Sequence, residues 1–330
     1  MPLEIVRNDI TLMEVDAIVN TANPRPVVGG GVDYAIHQRA GAGLLAARQK
    51  IGAIATGAAF ITDAFALPAR YVIHTVGPVW RGGSKGERAL LRDCYLHSLQ
   101  LAVEHGCTSV AFPLISAGIF GCPAEIAIAT AVDAIRSFLQ QQDMEVYLVV
   151  FDRKSFQLSG SLFQEVADFL DENYVAQAMV EEYQIDGNLP YPGRRRQEAA
   201  LDAVPAEGRA LAHLLDEVED TFSESLLRLI VSRGRTEPEV YKRANVDRKL
   251  FSKIRNNPAY QPSKATALAF AVALELNLDE TRDFIGRAGY ALSPSSKADI
   301  ILEYFIRRGE YDIFIINETL FAFAQPTLGC

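Results

Sequence analysis

The chain has 330 residues, which exceeds the size at which one hydrophobic core usually keeps growing, so we expect two domains. The net charge of -9 argues against a chain that coats nucleic acid or membrane along its whole length. The four cysteines form no CxxC pair, and the five histidines lie at no spacing that would make a metal site with them, so disulfides and structural zinc are not expected. No apolar run has signal-peptide or bilayer-spanning length, so we expect a cytoplasmic protein without membrane contact.

Short β-branched runs alternate with amphipathic segments from residue 3 to about 175. The predicted strands are Leu3–Val6, Ala17–Asn20, Ala58–Thr62, Tyr71–Thr75, Ser109–Phe112 and Glu145–Phe151. The predicted helices are Val32–Ala40, Glu87–Glu104, Pro123–Leu139 and Phe163–Asn173. This alternation predicts an α/β domain with helices on both faces of a sheet.

The second half of the chain has a different pattern. Residues 181–208 combine proline, glycine and charge with little apolar periodicity, which predicts a linker. The helices predicted after it are Leu211–Phe222, Glu224–Ser232, Pro238–Ala244, Arg248–Asn256, Ser263–Leu276, Asp279–Ala288, Lys297–Arg307 and Tyr311–Phe323. The sequence therefore predicts an α/β domain at 1–180 and a smaller all-α domain at 209–330.

The segment at 16–33 joins a buried apolar strand to a helix through an Asn- and Gly-rich loop. Glycines let backbone N–H groups approach a ligand closely, and the N-terminal end of the helix attracts phosphate. A second small-residue loop, at 113–123, also precedes a helix. Because a diphosphate needs only the backbone and the helix dipole, the added carboxylate of Asp33 suggests chemistry on the attached group.

Five motifs in this half resemble the macrodomain family, in particular its MacroD-type branch, which includes bacterial O-acetyl-ADP-ribose deacetylases. They are NDIT at 8–11, VDAIVNTAN at 15–23, GGGVDYAIH at 29–37, YVIHTVGPVW at 71–80 and FPLISAGIFG at 112–121. The resemblance covers roughly residues 1–175. It implies a three-layer α/β/α fold with a mixed sheet, ADP-ribose or an ADP-ribosylated protein as ligand, and no metal or cofactor.

The resemblance also implies a role for individual residues. Asp9 would accept a hydrogen bond from the adenine amino group, and either Phe151 or Phe156 would stack on the base. Asp33 would activate a water for attack on an ester at the distal ribose, with Asn23 and Phe120 orienting that ribose. The implied ligand-binding residues are Asp9, Ile10, Asn23, Gly30, Gly31, Val32, Asp33, Ser116, Ala117, Gly118, Ile119 and Phe120, and the catalytic ones are Asp33, Asn23 and Phe120.

Each of these residues also has a purely structural interpretation. The alternatives are a carboxylate favoured by the helix dipole for Asp33, a turn residue for Asn23, a turn cap for Asp9, a core side chain for Phe120, and packing or structural histidines for His37 and His74.

In the all-α domain, residues 239–255 resemble a helix-turn-helix of the phage-repressor type, with Asn245 at the turn and Asp247 capping the second helix. Residues 228–264 carry ten Lys/Arg against three acidic residues, a local charge of +7. DNA or RNA contact is the first interpretation, through Arg248, Lys249, Lys253 and Arg255. The equal alternative is a helical module that docks on the first domain or on a partner protein.

Three functions follow from this pattern. The leading hypothesis is a hydrolase that removes ADP-ribose from acidic side chains or deacetylates O-acetyl-ADP-ribose. The second is a reader that binds ADP-ribose without turnover, favoured by Val28 where the resemblance implies a fourth glycine. The third is a hydrolase that the helical domain directs to ADP-ribosylated nucleic acid.

Overall fold

The sheet of the first domain has six strands, in a computed structural model that describes residues 3–150, 165–170 and 220–329. The strands are β1 (Leu3–Arg7), β2 (Ala17–Thr21), β3 (Ala59–Asp63), β4 (Tyr71–Thr75), β5 (Ser109–Pro113) and β6 (Glu145–Val150). Their order is β1-β6-β5-β2-β4-β3, and all neighbours run parallel except β3 and β4. The expected mixed sheet is confirmed.

Four helices accompany this sheet: α1 (Val32–Ala40), α2 (Ala42–Ile51), α3 (Glu87–Glu104) and α4 (Ala124–Leu139). A short 3-10 helix, Ile10–Leu12, follows β1. The sequence pattern did not predict α2. Gly41 alone separates α2 from α1. Its φ of 84° breaks the helix, and the Gly41 N–H donates to the carbonyl of His37.

Alternate residues of each strand point into two different cores. Ile18 and Val72 pack with Ile36 of α1 and Leu44 of α2 on one face. On the other face, Val19, Ile73, Phe112 and Leu148 pack with apolar side chains of α3 and α4. This alternation produces the three layers that were expected.

The region 220–329 is a bundle of helices, in agreement with the predicted all-α half. The helices are α5 (Phe222–Ser232), α6 (Glu237–Arg243), α7 (Arg248–Asn256), α8 (Lys264–Ala273), α9 (Leu278–Gly286), α10 (Lys297–Arg308) and α11 (Ile313–Ala322). Each begins at a Ser, Thr, Asn or Asp whose side chain accepts a hydrogen bond from the first turn. Helix α8 is the centre of the bundle, since every residue from Thr266 to Ala273 is buried.

The helical bundle docks on the sheet domain. Asn245, in the turn between α6 and α7, accepts a hydrogen bond from the Leu3 N–H at 2.8 Å and donates to the Leu3 carbonyl at 2.9 Å. Lys242 donates to the Gln140 carbonyl at the end of α4. Arg136 of α4 pairs with Asp312. One hydrophobic cluster continues from the α3 and α4 face into the bundle, so this contact is part of the core.

Several predictions fall outside the described residues. They are the linker at 181–208, both ends of the helix Phe163–Asn173, most of the helix Leu211–Phe222, and both stacking candidates, Phe151 and Phe156. The part of the first helix that is described, residues 165–170, is helical. Among the described helices, none combines the length and apolar character needed to cross a bilayer.

Candidate functional site

Four loops lie at the same edge of the sheet, because each follows the carboxyl end of a parallel strand. The loops are 8–12 after β1, 22–31 after β2, 76–80 after β4 and 114–123 after β5. The loops expected to bind ligand are therefore neighbours in the fold.

Direct contacts join these loops. A Cβ atom on Gly30 would lie 3.1 Å from Cδ1 of Ile119, so the glycine loop meets the loop that follows β5. The Trp80 N–H donates to the Phe120 carbonyl at 2.8 Å, which ties the loop after β4 to the same segment. The side chain of Ile119 is 83% exposed and forms part of the rim.

Ser116 is held in an unusual conformation in this cluster of loops. Its φ is 64°, in the left-handed region, and Gly77 packs so closely against its side chain that a Cβ at position 77 would clash with the Ser116 Oγ. The hydroxyl is buried and has no hydrogen-bond partner among the described residues. A buried hydroxyl without a partner is a costly feature, which is typical of a functional loop.

Asp33 lies in the first turn of α1 beneath the glycine loop, and the residue is 2% exposed. Its Oδ1 accepts a hydrogen bond from Asn20 Nδ2 at 2.6 Å, and its Oδ2 accepts one from the Gly29 N–H at 2.5 Å. The Nε2 atom of His37 is 3.5 Å from Oδ1. A Cβ atom on Gly29 would lie 3.1 Å from Oδ2, so the absence of a side chain there lets the loop close over the carboxylate.

A chain of polar groups continues from the buried Asn20 across the sheet to its exposed edge. The Asn20 amide nitrogen also lies 3.2 Å from His74 Nδ1, and His74 Nε2 lies 3.0 Å from the Thr62 hydroxyl, which donates to the Asp63 carbonyl. Burial lowers the pKa of His74 to about 3, with Arg48 and His37 adding to the shift. The imidazole is therefore neutral and carries its proton on Nε2. This geometry agrees with the interpretation of His74 as a structural histidine.

Arg48 of α2 secures the loop that carries Asn23. Its guanidinium is buried and donates to the carbonyls of Asn23, at 3.0 Å, Pro24 and Gly52. Burial also lowers the pKa of His37, where Asp33 opposes the shift and Arg48 adds to it. No role for Arg48 was predicted from the sequence, because α2 itself was not predicted.

Two predicted ligand residues make local hydrogen bonds in this structure. The Asn23 Oδ1 accepts from the Arg25 N–H at 3.0 Å, and Asp9 Oδ1 accepts from both the N–H and the hydroxyl of Thr11. These hydrogen bonds agree with the alternative structural roles, a turn residue for Asn23 and a turn cap for Asp9. Ile10 is buried in the core next to α1, so only its backbone is placed to meet a ligand. Among the described residues, no group of three or more His, Cys, Asp or Glu side chains could hold a metal ion.

We expect the protein to lose stability in acid because His74 is buried in its neutral form. Because its pKa is about 3 in the folded protein and 6.5 in the unfolded chain, only the unfolded chain binds this proton between those values, and stability falls as pH drops below 6.5. At pH 4.5 we expect this residue to lower the free energy of unfolding by about 3 kcal/mol. Urea unfolding at pH 7 and 4.5 measures it.

His74→Asn is the matched variant, since an amide oxygen can replace Nδ1 as acceptor but does not titrate. It should lose about 3 kcal/mol less than wild type between the two pH values. His105→Asn, at an exposed site, should behave like wild type. An equal loss in His74→Asn would show that other groups cause the acid sensitivity.

The geometry defines an α/β domain with a cluster of loops at one sheet edge, which forms the candidate ligand site, and a docked helical bundle. The family profile described as Macro domain matches residues 19–131. A macro domain-containing protein of Chlorobaculum tepidum is 51% identical over 140 residues, which cover 42% of this chain and 81% of that protein. The O-acetyl-ADP-ribose deacetylase of Escherichia coli K12 is 46% identical over 172 residues, covering 50% of this chain and 97% of the enzyme.

This chain belongs to the macrodomain family. Among solved structures, the Oceanobacillus iheyensis macrodomain with ADP is 40% identical, with a TM-score of 0.46. The match covers 52% of this chain and 92% of the Oceanobacillus chain. The Trypanosoma brucei macrodomain in complex with ADP-ribose is 38% identical, with a TM-score of 0.43. The match covers 47% of this chain and 66% of the Trypanosoma chain.

Proposed function

We propose that this chain binds ADP-ribose in the loops at the carboxyl edge of the sheet and hydrolyses an ester on the distal ribose. The ester is either a glutamate or aspartate side chain linked to ADP-ribose or the acetyl group of O-acetyl-ADP-ribose. Relatives named O-acetyl-ADP-ribose deacetylase support the reaction class. The observation that carries the proposal is the Asp33 carboxylate, held beneath the glycine loop by Asn20 and Gly29.

In this mechanism the pyrophosphate binds backbone N–H groups of Gly30 and Gly31 at the N-terminal end of α1. Asn23 and Phe120 orient the distal ribose. Asp33 accepts a proton from a water whose oxygen attacks the ester carbonyl, and the bond to the ribose oxygen then breaks as that oxygen takes up a proton. Since Asp33 is 2% exposed, the glycine loop must move when ligand binds for this water to enter.

The test is release of ADP-ribose from a glutamate-modified protein under single-turnover conditions, in parallel with release of acetate from O-acetyl-ADP-ribose. Calorimetry with ADP-ribose measures binding separately. Release in either assay supports an ester hydrolase, and the faster one names the substrate. Binding without release in both would make the protein a reader, the alternative that the β-branched Val28 beside Gly29 favours.

A second proposed function is nucleic-acid contact through α7, because Arg248, Lys249, Lys253 and Arg255 are all exposed on that helix. Arg255 also pairs with Glu237, and Lys253 lies over the Tyr260 ring. The Macro domain profile matches residues 19–131, which do not include α7, and so lends this function no support.

We expect Arg248→Glu with Lys249→Glu to weaken binding to a DNA or RNA duplex and to reduce the slope of log affinity against log salt by about 2. Fluorescence anisotropy across a salt series measures both. The control is Arg39→Glu with Lys50→Glu, the same charge change at exposed positions of α1 and α2. Equal affinities for the two double variants, or binding that salt does not weaken, would count against the function.

A further inference from the structure

We propose that Asn20 is a positioning residue for Asp33: its side-chain amide holds the carboxylate in the orientation that the proposed hydrolysis uses. The inference rests on the proposed function. Asn20 lies on β2, one residue before the strand ends, and is fully buried. It therefore acts through Asp33 and does not contact substrate.

The Asn20 amide has one donor for each of two acceptors. One N–H reaches Asp33 Oδ1 at 2.6 Å and the other reaches His74 Nδ1 at 3.2 Å. The amide oxygen has no partner among the described residues. In this orientation both N–H groups of the Asn20 amide have acceptors, and only its oxygen lacks a partner. The Asn20 nitrogen therefore lies on the side of Asp33.

The polar chain beyond Asn20 prevents the amide from turning over. A turned amide would place its oxygen against the Asp33 carboxylate and against Nδ1 of a neutral His74, which has no proton there to donate. His74 cannot change tautomer cheaply, because its Nε2–H donates to Thr62, whose hydroxyl donates to the Asp63 carbonyl. The chain from the Asp63 carbonyl to Asn20 therefore fixes the direction of the hydrogen bond to Asp33.

Without the amide donor, Asp33 has a competing partner. His37 Nε2 is already 3.5 Å from Oδ1, on the same helix one turn later. The carboxylate would turn toward His37 and away from the position set by Asn20 and Gly29. A displacement of this kind, of about 1 Å, is enough to cost about 10²-fold in rate.

The experiment compares Asn20→Ala and Asn20→Asp with wild type, measuring single-turnover release across pH and ADP-ribose affinity by calorimetry. Asn20→Ala should lower the rate about 10²-fold at unchanged affinity. Asn20→Asp keeps the shape but sets two carboxylates in contact, so they share a proton and the pH–rate profile should move up by about one pH unit or more. A purely structural role would not move that profile.

Asn277→Asp is the matched control, since it makes the same substitution at an exposed helix cap that an aspartate can also fill. Its rate and pH profile should equal those of wild type. An active wild type with unchanged rates and profiles in both Asn20 variants would overturn this inference and leave the proposed function standing. An inactive wild type would overturn both. If thermal melting shows Asn20→Asp unfolded, Asn20→Ala decides the question by its rate, because it buries no added charge.

Discussion

Replacing Asp33 by alanine should lower the single-turnover release of ADP-ribose by about 10³-fold and leave the affinity for ADP-ribose close to that of wild type. The proposed mechanism predicts this fall in rate because the variant has no group to take the proton of the attacking water. We expect the affinity to remain because the proposed pyrophosphate contacts are backbone N–H groups at the N-terminal end of α1, which the substitution keeps. Quenched-flow release and calorimetry measure the two quantities.

The control for this prediction is Asp133→Ala, which removes a carboxylate from the exposed face of α4, where it pairs only weakly with Arg92. Its rate should match wild type. Asp33→Ala also leaves the Asn20 amide and the Gly29 N–H without their acceptor, so a thermal melt must show that the variant is folded. A parallel loss of affinity and rate would make Asp33 a binding residue, and an unchanged rate would remove it from the mechanism.

The sheet and most helices were predictable because their signals are local. Period-2 alternation and flanking Gly, Pro or Asn identify strands such as Tyr71–Thr75, and a sustained helical period identifies Glu87–Glu104. Helix α2 was missed for a local reason too. Only one residue separates it from α1, and a glycine inside a helical pattern can be either a break or a tolerated position.

The Asn20 network shows what sequence patterns could not supply. Asn20 and His74 are polar residues on otherwise apolar strands, and each by itself is consistent with a structural role. They meet because β2 and β4 pair in the register that sets Asn20 opposite His74. Strand order and register depend on the whole packed sheet, so the link from His74 to Asp33 appears only in the structure.

Asn245 shows the same limit at longer range. A left-handed residue between two helices was predictable, and its φ of 55° agrees. Its partner, Leu3, is 242 positions away in the sequence. The side chain satisfies the N–H and the carbonyl of an edge strand, as a neighbouring strand would. Asn245 therefore caps this edge of the sheet, and the turn between α6 and α7 contacts β1 while α7 keeps its basic residues exposed.

Replacing Asn245 by glycine should lower the free energy of unfolding by about 3 kcal/mol, although glycine adopts the left-handed conformation readily. The cost comes from Leu3, which is 2% exposed and loses the partners of both its backbone polar groups. Asn245→Ala should cost about 1 kcal/mol more, because alanine is strained at this φ. Urea unfolding of the full chain measures both, with amide exchange at Leu3 reporting the edge directly.

Ala324→Gly is the matched control, because Ala324 also has a left-handed φ, of 56°. Glycine relieves strain there and removes no side-chain hydrogen bond, so this variant should be as stable as wild type or slightly more stable. If Asn245→Gly were as stable as wild type, water would replace the two hydrogen bonds between Asn245 and the Leu3 backbone without loss of stability. The predicted order of stability, with Ala324→Gly highest and Asn245→Ala lowest, separates the loss of the Asn245 side chain from backbone strain, since both glycine variants relieve strain but only one of them removes hydrogen bonds to Leu3.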